Sequence, residues 1–144
     1  MNELNGKDAL ALGTLPGIKK IVMLERTTST QEVARELALQ GEMAGTLVVA
    51  ITHDSGKGRM GRAWESALGG VYMTLILEPS IGLKFLTELS LLGGRVAADT
   101  LKQLYGLSTR VKLPNDVYAL HPRKKKYLKI AGILTEASSI NKTP

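Results

Sequence analysis

The chain contains no cysteine among its 144 residues. A disulfide framework, a thiolate nucleophile and a cysteine-ligated zinc site are all excluded. Histidine is nearly absent, with only His53 and His121, so a histidine-rich metal centre is excluded too. Aromatic residues make up 4%. Tyr127 alone sits within a basic run, so stacking platforms for single-stranded nucleic acid are poorly supplied. No apolar run approaches the ~18 residues of a membrane span. Met1–Asp8 lacks the apolar stretch of a secretory leader. These absences lead us to expect a cytoplasmic protein that binds no membrane.

What is present is ordinary for one globular domain: 44% hydrophobic and 22% charged residues. The net charge of +6 is local. Lys57, Arg59 and Arg62 lie in one short segment without acids, and Arg123, Lys124, Lys125, Lys126 and Lys129 lie in another. Without these eight, eleven basic residues face thirteen acidic ones. Two basic segments on a mildly acidic body suit a small polyanion as well as a nucleic acid.

The patterning predicts an α+β fold, with a mixed β-sheet and flanking helices. Residues 1–17 read as a lead-in, 18–137 as the domain and 138–144 as a polar tail. Ile18–Leu24 reads as a strand. Ser29 with Glu32 forms a capping box for a helix whose inner face is Val33, Ala34, Leu37 and Ala38, with Gly41 as its stop. Thr46–Thr52 reads as a buried strand, Asp54–Ser66 as a loop and Gly70–Leu77 as a further strand. Phe85, Leu89, Leu92, Val96, Leu101 and Leu104 recur at helical spacing, predicting one helix from about Leu83 to Tyr105 with Gly106 as its C-cap. Gly93-Gly94 inside it implies close packing against a sheet. Ser108–Leu113 reads as a strand, and Val117–Leu120 with Tyr127–Ala137 as a hairpin across a basic turn.

Four segments carry chemistry. Gly56-Lys57-Gly58-Arg59-Met60-Gly61-Arg62, followed by Trp64, sets glycines that admit a ligand to the backbone among cations that neutralise oxyanions. It is neither a Walker loop nor a dinucleotide turn; its bland alternative is a solvated loop. Lys112-Leu113-Pro114-Asn115-Asp116 ends a strand with an amide and a carboxylate, and Asp116 is a candidate Mg²⁺ ligand; its bland alternative is an Asn-Asp turn. Lys129 opens an apolar strand in which Gly132 suggests close approach. Thr28-Ser29-Thr30-Gln31 is a helix start, where a hydroxyl cap and a ligand contact are compatible.

In this order and spacing, Ser29-Thr30, Gly56–Trp64, Lys112–Asp116 and Lys129–Leu134 resemble the catalytic domain of the biotin–protein ligases, over roughly Ile18 to Ala137. The resemblance implies the α+β, class II synthetase-like fold of the biotin/lipoate ligases. It also implies a cytoplasmic enzyme using ATP, Mg²⁺ and biotin, which forms biotinyl-5′-AMP and passes the biotinyl group to a lysine of a biotin carboxyl carrier protein of acetyl-CoA carboxylase. By position, Ser29, Thr30, His53, Gly56, Lys57, Arg59, Lys129 and Gly132 would bind biotin. Arg59, Arg62, Trp64, Asn115, Asp116 and Lys129 would serve ATP, Asp116 would meet the metal, and Lys129 and Arg59 would be catalytic.

Three residues depart from the family pattern: His53 stands for glutamine, Lys57 for arginine and Leu113 for tryptophan. The family's domain also continues beyond the strand of Lys129, so the resemblance implies its N-terminal part, without a DNA-binding module and with a homodimer as one assembly. The alternatives are a lipoate–protein ligase, against which the Gly56–Trp64 loop argues, and a non-catalytic biotin- or nucleic-acid-binding module.

Overall fold

The computed structural model describes residues 15–54, 56–58, 61, 63–80 and 82–138. The chain divides into two compact units, one within Met1–Pro79 and one over Ser80–Ala137. The expected lead-in lies almost wholly outside the described residues.

In the first unit, β1 (Lys20–Thr27), α1 (Thr30–Leu39) and β2 (Thr46–His53) form a parallel strand–helix–strand unit. Strand β5 (Tyr72–Leu75) pairs antiparallel with β2, giving the order β1-β2-β5. Ser29 is the N-cap of α1: it is extended, and its hydroxyl accepts from the Gln31 N–H. The Glu32 carboxylate accepts from the Thr28 hydroxyl, tying down the preceding turn. The strand period of two then selects the core. Thr46, Val48 and Ala50 of β2 and Tyr72 of β5 are buried, as is Ala34 of α1.

The segment expected to be a plain loop holds a short ribbon, β3 (Gly56–Lys57) paired antiparallel with β4 (Ala63–Trp64). It escapes sequence patterning because two residues per strand carry no period. Gly56 is buried, and a Cβ there would stand 2.8 Å from Ser66 Oγ and 3.0 Å from Trp64 Cβ. We therefore expect Gly56→Ala to destabilise this ribbon by about 1–3 kcal/mol, as overpacking does. Limited proteolysis after residues 54–64 reads this directly, and an unchanged cleavage rate would contradict it.

In the second unit, a 3₁₀ turn (Leu83–Phe85) leads into α2 (Leu86–Tyr105), which ends at Gly106 with φ of 65°. The antiparallel sheet β6 (Thr109–Lys112), β7 (Asp116–His121) and β8 (Lys126–Gly132) follows. The long helix is as predicted, but its apolar stripe does not define the buried face. Leu92 and Val96 are 56% and 57% exposed, and Leu104 is exposed too. The buried positions are Ser90, Gly94 and Ala98. Small residues let the helix backbone come close: a Cβ on Gly93 would stand 3.2 Å from Ile133, and one on Gly94 3.5 Å from Val111. Ser90 and Thr109 spend their hydroxyls here, on Thr135 (2.7 Å) and on the Ala98 carbonyl (3.1 Å). The expected close packing of Gly93-Gly94 is thus seen. Strand β8 ends at Gly132, short of the expected Ala137, because its partner β7 begins at Asp116.

Candidate functional site

The first unit gathers a polar cluster where α1 starts. Ser29 and Thr30 are buried. The Thr30 backbone N–H donates to His53 Nε2 at 3.0 Å. That bond satisfies one of the helix's orphan donors and requires the neutral ring to carry its proton on Nδ1. The His53 ring stacks on Tyr72, with centroids 4.6 Å apart and planes at 20°. Burial holds its pKa below the ordinary 6.5, against the opposing pull of Asp54. Asp54 is itself clamped by Arg26 Nε at 2.8 and 3.0 Å. Thr74 Oγ1 completes the cluster, 2.9 Å from Thr30 Oγ1 and 3.2 Å from Gln31 Oε1.

Motif reasoning names Ser29, Thr30 and His53, and the fold brings these three together. It missed Tyr72 and Thr74, and it included Gln31 only as part of the helix start. The available signal for Thr74 was positional: with Tyr72 it lies on the strand face turned to the helix, where a hydroxyl needs a partner.

The basic loop follows directly. Arg59 and Arg62 lie outside the described residues, and of Lys57 only the backbone is described. Gly56 and Trp64 are paired in register across the ribbon. Beside them, Ser66 Oγ is buried without a hydrogen-bond partner among the described residues.

The second unit holds the other group. Asn115 Nδ2 donates to the Ile133 carbonyl at 2.9 Å, and the Ile133 N–H donates to the Asn115 carbonyl at 2.9 Å. Asn115 is thereby stitched to the end of β8. Lys129 Nζ pairs with Asp116 Oδ1 at 2.7 Å, and both side chains are partly exposed. The strand register explains how they meet. Tyr118 pairs with Lys129, whereas Val117 pairs with Ala131, so Ile130 is an extra residue in β8. This bulge sets Gly132, instead of Ala131, opposite Asp116. A Cβ on Gly132 would lie 3.5 Å from Lys129 Cε and 3.6 Å from both Lys129 Nζ and Asp116 Oδ1. Those are ordinary contacts, so the chain's own atoms do not demand glycine here.

Further along the hairpin, Arg110 lies 3.6 Å over the Tyr127 ring. The hydrogen bond to Ser108, and then Arg110, lower the phenol's pKa. Lys112 is exposed, 5.8 Å over Tyr118.

Comparison with known proteins decides the affiliation. Residues 23–143 match the model of the biotin/lipoate A/B protein ligase family. The chain belongs to that family. It is 41% identical over 110 residues to the bifunctional ligase/repressor BirA of Bacillus subtilis, covering 76% of this chain and 32% of that protein. It is 28% identical over 132 residues to the human biotin–protein ligase, covering 87% of this chain and 18% of the relative. Among solved structures, the biotin protein ligase of Aquifex aeolicus in complex with biotin and ATP superposes with a TM-score of 0.68 at 31% identity, covering 85% of this chain and 49% of that one. The Leishmania major ligase with biotinyl-5-AMP gives 0.68 at 28% identity, covering 88% and 54%. The α+β ligase fold expected from the motifs is therefore the fold observed. The chain spans about a third of the B. subtilis relative and about half of these structures.

Among the described residues, no three His, Cys, Asp or Glu side chains converge to hold a metal ion. Likewise, none of the described helices is long and apolar enough to cross a membrane.

Proposed function

We propose that this chain takes part in ATP-dependent biotin–protein ligation. The biotin carboxylate attacks the α-phosphate of ATP, the bond to the leaving pyrophosphate breaks, and biotinyl-5′-AMP forms. The ε-amine of a carrier-protein lysine then attacks the acyl carbon and releases AMP. The observation that carries this reading is the Lys129–Asp116 pair beside Gly132 on a bulged hairpin. An ammonium held 2.7 Å from a carboxylate neutralises charge as it develops on carboxylate and phosphate oxygens. Asp116 and Asn115 serve the nucleotide end. A single carboxylate suits Mg²⁺ whose other ligands are phosphate and water, as Mg²⁺ prefers; bound there, Mg²⁺ would offset phosphate charge.

The cluster of Ser29, Thr30 and His53 in the first unit is assigned to biotin recognition. Its groups are neutral hydrogen-bonding partners, which suit the uncharged ureido ring of biotin. The apolar dithiolane of lipoate would offer their hydroxyl protons no acceptor, so the biotin reading is preferred. Arg59, Arg62, Lys57 and Trp64 are assigned by motif to the loop that lies against the adenylate.

The test is biotin-dependent ATP–pyrophosphate exchange by the full chain. Exchange that needs biotin, and that lipoate does not replace, supports the reading. Absence of exchange in a folded chain that also fails to bind biotin overturns it. Gly132→Ala sharpens the test. Its new methyl meets only ordinary contacts, so the unfolding midpoint should stay within about 0.5–1 kcal/mol of the parent, while exchange falls about tenfold or more because the methyl occupies ligand space. Equal loss of stability and exchange would return Gly132 to a purely structural role.

A further inference from the structure

We infer that Thr74, which no motif includes, is a positioning residue that sets the Thr30 hydroxyl as a donor to the ligand; this rests on the biotin reading of the first unit. Thr30 is 3% exposed. Its backbone N–H is committed to His53, and its Oγ1 receives the Thr74 hydroxyl proton at 2.9 Å. A hydroxyl has one proton to give and two lone pairs to fill. With one lone pair taken by Thr74, the Thr30 proton is turned away from Thr74. Among the described residues it has no acceptor.

A buried hydroxyl proton gains from an acceptor, and this one lies at the start of α1, beside the His53 ring. A carbonyl on an uncharged ligand is such an acceptor, and the ureido oxygen of biotin has that chemistry. Gln31 Oε1, 3.2 Å from Thr74 Oγ1, offers the Thr74 proton a second, longer acceptor. The Thr74 hydroxyl is thus the branch point of the cluster. Its position follows from register: Thr74 lies opposite Val48, on the strand face that α1 covers.

The experiment is a double-mutant cycle read by calorimetric titration of the full chain with biotin. Thr74→Val removes the hydroxyl while keeping the side-chain shape, and Thr74→Ser restores it. We expect Thr74→Val to weaken biotin binding about threefold to tenfold and Thr74→Ser to stay within twofold of the parent. In a Thr30→Val background, Thr74→Val should have no further effect, because the group it orients is gone. Thr74→Ala, also without the hydroxyl, gives the same comparison should Thr74→Val fold poorly.

An unchanged affinity in the hydroxyl-free variants overturns the inference. So does an additive loss in the Thr30→Val background, which is what a merely structural role produces. A parent chain that binds no biotin overturns the functional reading itself, and this inference with it. A parent that binds biotin alongside an indifferent Thr74→Val overturns the inference alone.

Discussion

Lys129→Met is expected to lower biotin-dependent ATP–pyrophosphate exchange by on the order of 10²–10³-fold, the range seen when one charge-stabilising donor is removed from a reacting centre. Methionine keeps the length and apolar stem of lysine and removes only the ammonium. The structural cost is bounded. Lys129 and Asp116 have side-chain exposures of 35% and 23%, between the exposed and buried cases. Leaving Asp116 with one partner fewer should therefore cost about 1–2 kcal/mol, and circular dichroism should show the fold intact. Lys124→Met is the control for net charge, because Lys124 is an exposed member of the basic turn. It should leave exchange within twofold of the parent. If Lys129→Met does the same, the ammonium has no part in adenylation and the assignment of Lys129 is wrong.

Local signals made some of this legible in the sequence, and non-local ones hid the rest. The start of α1 was readable because a cap is decided within three residues: Ser29 is extended and its hydroxyl meets the Gln31 N–H. The motif positions Ser29, Thr30 and His53 also converge in the fold, Thr30 meeting His53 across 23 residues of chain, and Lys129 meets Asp116 across 13. Of the buried face of α2, only the close approach at Gly93-Gly94 was readable. Hydropathy marks Leu92 and Val96, whereas the strands accept Ser90, Gly94 and Ala98, because what decides contact there is how near the backbones can come. The bulge at Ile130 was hidden for a related reason. Nothing in the order Lys129-Ile130-Ala131-Gly132 says which residue is skipped until β7 supplies the pairing. Thr74 carries no motif, and only the register that faces it toward α1 brings it to Thr30 and Gln31.

Biotin affinity is expected to fall as the pH drops below about 6.5, and His53→Gln should abolish that fall. The neutral ring accepts the Thr30 N–H at Nε2. Once protonated, both ring nitrogens are donors, and Nε2–H would face N–H. The sign follows from the direction of the shift. Burial lowers the folded-state pKa from 6.5, with Asp54 opposing, so the unfolded chain takes up the proton first. The bond's contribution to the fold is complete above the unfolded value and is lost as pH falls through the folded one; biotin affinity falls over that same lower range because protonation of the native ring breaks the arrangement that holds the Thr30 N–H. The ligand's carboxylate does not confuse the reading, since an alkyl carboxylic acid titrates near ~4–5, as glutamate does. Glutamine offers Oε1 to the Thr30 N–H and has no proton to gain. Calorimetric titration with biotin at pH 7.5, 6.5 and 5.5 should show a progressive loss in the parent and a level response in His53→Gln. His53→Leu should bind biotin about tenfold or more weakly at every pH, because it leaves the Thr30 N–H without its acceptor at a cost of about 1–3 kcal/mol. A parent and a His53→Gln variant with the same pH slope would show that the dependence arises elsewhere, and that His53 replaces the family's glutamine without adding a titration to the site.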